Sequence, residues 1–66
     1  MNELQQGLAG IIADYFRMEE SQVVPEFVLG YDSDEIVQRF VQRYGQALQI
    51  LELEGCTVGE LLNQLA

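Results

Sequence analysis

Apolar residues recur at steps of three and four through the first sixteen positions, where Leu4, Leu8, Ile11, Ile12, Tyr15 and Phe16 collect on one stripe. The spacing predicts an amphipathic helix over about residues 3 to 17, with Asn2 as its cap and Gln5 three residues on to complete a capping box. Gly7 and Gly10 fall inside it, and each lowers helix propensity by about 1 kcal/mol relative to Ala. They either soften the helix or admit a close neighbour. The period is lost between Met18 and Tyr31, where Pro25 pushes Val24 toward extended geometry. A connecting loop is predicted there. Because Val23, Val24, Phe27, Val28 and Leu29 are apolar, the loop is expected to lie across the helices and close their core.

The sharpest local signal is Asp32-Ser33-Asp34-Glu35. Asp32 or Ser33 can accept a hydrogen bond from a free backbone N–H, Glu35 suits a capping box with Asp32, and three carboxylates crowd the positive end of a helix dipole. A helix is therefore predicted from here, with Ile36, Val37, Phe40, Val41 and Tyr44 as its buried stripe and Gly45 as its stop. Glu35 and Arg39 stand four apart in the favourable order for an ion pair. Residues 46 to 56 fit either a short helix or an extended crossing; one helical turn around 50 to 54 is expected. Thr57-Val58-Gly59-Glu60 repeats the capping pattern, and Val58, Leu61, Leu62 and Leu65 predict a last short helix. The expected architecture is all-α: one domain over residues 1–66, with three main helices and a short helical turn. Leu8, Ile12, Phe16, Val37, Phe40, Val41, Leu61 and Leu65 are its expected core.

Charge narrows the function classes. Eleven Asp and Glu against three Arg give a net charge of -8, which repels phosphate backbones and anionic lipids and excludes an ordinary nucleic-acid or membrane-surface role. No apolar run approaches the roughly 18 residues of a membrane span. The start, Met1-Asn2-Glu3-Leu4-Gln5-Gln6, lacks the basic and continuously apolar pattern of a signal peptide, and a cytoplasmic protein or an excised domain is expected. Without histidine there is no Ser-His or Cys-His pair, and the single Cys56 supplies neither an internal disulfide nor the usual zinc ligands. No catalytic or metal-ligating set is expected. The natural partners of such a chain are basic protein surfaces.

The order of these signals resembles the acyl and peptidyl carrier protein family, the phosphopantetheine-bearing domains of fatty acid, polyketide and nonribosomal peptide synthesis. The resemblance rests on Ile11-Ile12-Ala13-Asp14, Val24-Pro25, Leu29-Gly30-Tyr31-Asp32-Ser33, Tyr44-Gly45 and Thr57-Val58-Gly59-Glu60-Leu61-Leu62, which together span nearly the whole chain. The chain departs from the family pattern at Asp34, where an apolar residue is usual after the serine. It also has a few residues fewer between Pro25 and Ser33, about one helical turn less between Ser33 and Tyr44-Gly45, and Leu48-Gln49 where a Leu-Pro or Ile-Pro is common. The resemblance implies a carrier that catalyses nothing itself, with Ser33 as the acceptor of a covalent 4'-phosphopantetheine arm that holds thioester-bound intermediates. It also implies, as partners, a phosphopantetheinyl transferase and basic-surfaced synthase enzymes, met by Asp32, Asp34 and Glu35 on a monomeric domain.

The residues themselves keep a second possibility open. A serine at a helix start is exposed and can present a phosphodiester to free N–H groups, but most such serines are only caps or first-turn residues. The carboxylates at 32, 34 and 35 equally serve to offset the helix dipole. The alternative is an unmodified carrier-like helical module used for docking. Tyr31 is expected to pack in the loop, Arg39 and Arg43 to be solvated and to pair with Glu35 or another nearby acid, and Cys56 to be a small buried or half-buried thiol.

Overall fold

The computed structural model describes residues 1–66, and the chain is all-α: α1 (Glu3–Phe16), α2 (Asp32–Tyr44) and α3 (Val58–Asn63), with a single 3-10 turn at Glu20–Gln22. The start of α1 forms as its sequence predicts. Asn2 Oδ1 accepts from the Gln5 N–H at 2.8 Å, and Gln5 Oε1 accepts from the Asn2 N–H at 3.0 Å. The same two side chains also donate to the end of α3, Asn2 Nδ2 to the Leu65 carbonyl at 2.7 Å and Gln5 Nε2 to the Leu62 carbonyl at 3.1 Å. A local cap thus fastens the two ends of the chain to each other. Helix α1 stops at Arg17, which takes the left-handed conformation and lets the Met18 N–H reach back to the Ala13 carbonyl at 2.9 Å.

Helices α1 and α2 run antiparallel. Tyr15, near the end of α1, hydrogen-bonds to Asp32 at the start of α2, while Gly7, near the beginning of α1, faces Tyr44 at the end of α2. A Cβ on Gly7 would overlap the Tyr44 phenol, so glycine is what allows this close approach. Leu8, Ile12, Ile36, Phe40, Val58 and Leu61 are wholly buried between the three helices.

Two connecting segments close the core by lying side by side. Val28 and Thr57 form an isolated antiparallel bridge, and the Val58 N–H donates to the Phe27 carbonyl at 2.9 Å. The Cys56 carbonyl accepts from the Leu29 N–H at 2.7 Å and the Gly30 N–H at 3.3 Å. Leu29 and Cys56 are thereby sealed into the core, but Val24 and Val28 remain on the surface, against expectation. Bridge pairing puts alternate side chains on opposite faces, so the loop can bury Leu29 only by exposing Val28.

The expected core also changes at three helical positions. Phe16 and Val37 are half-buried, and Val41 is exposed. Six-residue α3 extends for about 9 Å against about 20 Å for thirteen-residue α2, too short to cover both flanks of the longer helix. No helix forms at 50 to 54, and the only turn near there falls at 53–55. Gln64 donates to the Gln49 carbonyl and accepts from the Gln49 N–H, each at 2.8 Å, so the backbone at Gln49 is taken up by a side-chain amide rather than a helical ladder. The segment is irregular through Gln49, bends at Leu51 and turns over residues 53–55, with Leu48 buried and Leu51 in solvent.

Candidate functional site

The residues singled out by sequence meet at the mouth of α2. Gly30, at φ +60, turns the chain so that the Asp32 N–H donates to the Leu29 carbonyl at 3.2 Å and the Ser33 N–H to the Gly30 carbonyl at 3.1 Å. A left-handed φ is the reason glycine stands there. Helix α2 begins at Asp32, which makes Ser33 its second residue and directs the side chain inward, toward the segment that holds Cys56. Ser33 has no exposed surface, and its Oγ donates to the Gly30 carbonyl at 2.7 Å. The expected exposure of this serine is therefore corrected. The pairing of 27–30 with 56–58 covers the position that a bare helix start would leave open.

The expected cap is corrected as well. Tyr31 occupies the cap position without a side-chain hydrogen bond, and neither Asp32 nor Ser33 caps the helix. Asp32 instead accepts from the Tyr15 hydroxyl at 2.8 Å. That bond, followed by burial and the nearby charges of Asp32 and Glu35, raises the Tyr15 pKa above its ordinary value, with Arg39 opposing. Asp34 accepts from Gln38 at 3.3 Å, and Glu35 pairs with Arg39 at 3.2 Å, the ion pair its spacing predicts. All three carboxylates are exposed in the first turn, where the helix dipole favours them.

Cys56 lies beneath this turn, fully buried, and burial pushes its thiol pKa upward. The nearby Ser33 hydroxyl works the other way and the charge of Glu60 adds to the rise. It is a neutral packing residue, as expected of a small buried thiol. Tyr31, expected to pack, is 69% exposed instead.

Periodicity gave no warning of two surfaces. Val28, Tyr31, Leu51 and Leu53 are exposed large apolar side chains on or next to the connecting segments, where no helical repeat assigns a face. An open groove of about 260 Å³ also runs between α1 and α2, lined by Ile11, Asp14, Arg39, Gln42 and Arg43. Its signal in the sequence is only the i, i+3, i+4 spacing within each set. No group of three or more Cys, Asp or Glu side chains is placed to hold a metal ion, and no helix is long and apolar enough to cross a membrane. Compared with known proteins, the chain matches no family model, no curated protein and no solved structure.

Proposed function

We propose that this chain is a non-catalytic acidic docking module with a carrier-like order of helices, in which Ser33 is a structural hydroxyl. The observation that carries this reading is the complete burial of Ser33, bonded to Gly30, beneath a ring of exposed carboxylates. Its partner is a basic protein surface in the cytoplasm. Asp32, Asp34 and Glu35 steer the encounter, and Tyr31 and Val28 add apolar contact beside them. Such an encounter weakens with salt, because exposed charges are screened over about 8 Å at physiological ionic strength.

The second reading is a carrier whose Ser33 bears 4'-phosphopantetheine. It is favoured by the Gly30-Tyr31-Asp32-Ser33 resemblance and by the position of that serine in the first turn of α2. For the hydroxyl to attack the phosphate of coenzyme A, Oγ must leave the Gly30 carbonyl and the turn must open. Opening costs at most the few kcal/mol that stabilise a domain of this size, so a transferase that captures the opened turn can act.

Intact-mass measurement after incubation with coenzyme A and several competent transferases separates the readings. An unchanged mass supports the docking module. Addition of one arm, lost in Ser33→Ala, replaces it with the carrier. A parallel titration with a basic amphipathic peptide should perturb residues 28–35 and weaken with salt. Asp34→Asn should reduce affinity by about two- to fivefold, the range of one exposed ion pair.

A further inference from the structure

Between their pinned ends, α1 and α2 flank an open groove that adjoins the mouth of α2 through the Arg39–Glu35 ion pair. We infer that the groove lined by Ile11, Asp14, Arg39, Gln42 and Arg43 binds a small oxyanion, a phosphate monoester or a carboxylate, that also carries a hydrogen-bond donor. The inference is independent of the docking reading.

The first reason is where the cations lie. The chain has eleven acidic residues and only three arginines, yet two of the three, Arg39 and Arg43, stand on one wall of this groove. Residues four apart on a helix have Cβ atoms about 5–6 Å apart, close enough for two guanidinium forks to converge on one phosphate or carboxylate. Gln42 adds a neutral donor on the same wall.

The second reason is how the arginines are held. Arg39 lies over the Tyr15 ring, 4.9 Å from its centroid, and gives only Nε to Glu35. Stacking and ion pair orient the guanidinium while its terminal amino groups keep free donors. Arg43, expected to pair with a nearby acid as Arg39 does, forms no ion pair at all, although carboxylates outnumber arginines in the chain by eleven to three.

The opposite wall defines the rest of the ligand. Asp14 is exposed at the groove and repels a bare anion, but it accepts a hydrogen bond from a hydroxyl or ammonium group at the ligand's other end. One turn earlier on the same side, Gly10 has no neighbour within 4 Å of where a Cβ would sit. Intramolecular packing therefore does not require glycine there, and that side of α1 is left open beside the groove.

The test is two-dimensional NMR of the full chain at low salt, titrated separately with inorganic phosphate, acetate, methyl phosphate and phosphoethanolamine, against sodium chloride at matched ionic strength. Saturable shifts centred on residues 11, 14, 39, 42 and 43 are expected, with phosphoethanolamine bound more tightly than methyl phosphate. Comparing phosphate with acetate identifies the preferred oxyanion. R43Q should weaken binding about tenfold, and D14N should erase the preference for phosphoethanolamine. Both positions are exposed, so the fold is retained, and circular dichroism checks that. Shifts no larger than those in sodium chloride, or an affinity unchanged in R43Q, overturn the site. A preference that survives D14N overturns the donor half of the assignment.

Discussion

Replacing Ser33 by Glu and by Ala turns the geometry at the mouth of α2 into a question of sign. In the wild type Oγ donates to the Gly30 carbonyl at 2.7 Å, and that carbonyl also accepts the Ser33 N–H at 3.1 Å. Ser33→Ala therefore leaves no buried acceptor without a partner. The loss is one net hydrogen bond, about 0.5–1.5 kcal/mol, reduced by the few tenths that Ala gains as a helix former. A net cost of about 0–1 kcal/mol corresponds to a melting-temperature drop of no more than about 4–8 °C. Ser33→Glu behaves differently. On an exposed first turn the added carboxylate would face the positive helix end and stabilise by about 0.3–1 kcal/mol. At a position with no exposed surface it must lose its hydration or force the turn open, at a cost of several kcal/mol. That is comparable with the whole 3–5 kcal/mol that a core of this size supplies. Thermal and urea unfolding followed by circular dichroism should find Ser33→Ala folded and Ser33→Glu largely unfolded at 25 °C. A Ser33→Glu variant that melts at or above the wild type would refute the burial of Ser33 and remove the support for its structural role.

Three further outcomes follow from packing and protonation. Phe40 is wholly buried and Val41 is 37% exposed, so urea unfolding should show Phe40→Ala losing about 3–5 kcal/mol and Val41→Ala under about 1 kcal/mol; similar losses would contradict the orientation of α2. Gly10→Ala should raise stability by about 0.8–1 kcal/mol because nothing crowds its Cβ, while Gly7→Ala should lose that gain by displacing Tyr44, and equal melting temperatures for the two would count against the α1–α2 contact. The buried Cys56 thiol has a raised pKa, so the folded state holds its proton longer than the unfolded one, which titrates near about 8.5. Stability is then fully present below about pH 8.5 and declines as pH rises through the folded pKa, with Tyr15 extending the decline above about pH 10. Urea midpoints between pH 8 and 10 should fall for the wild type and fall less for Cys56→Ala; parallel slopes would assign the decline elsewhere.

What the sequence determined by itself was local. The stripe from Leu8 to Ile12, the Asn2–Gln5 capping box, the span of α2 from Asp32 to its Gly45 stop and the buried face of Val58, Leu61, Leu62 and Leu65 depend on neighbours three and four residues away. Periodicity and caps report those neighbours directly. The direction of Ser33 does not follow from them, because an acidic first turn with a serine is compatible with an outward cap, an inward packing residue or a modified hydroxyl. Tertiary structure made that choice when the Cys56 carbonyl accepted both the Leu29 and Gly30 N–H groups and drew the loop over the helix mouth. In the same way Tyr15 took the Asp32 carboxylate that a capping box would have used, and Gln64 took the Gln49 backbone that a helical turn would have used. The α1–α2 groove is also a product of assembly, since Asp14 and Arg43 share a cavity only once the helices lie antiparallel. Each of these competitions sets a local hydrogen bond against one from a residue distant in sequence. Their energies are similar, about 1 kcal/mol, so the outcome is decided by which distant group the packed core brings within reach.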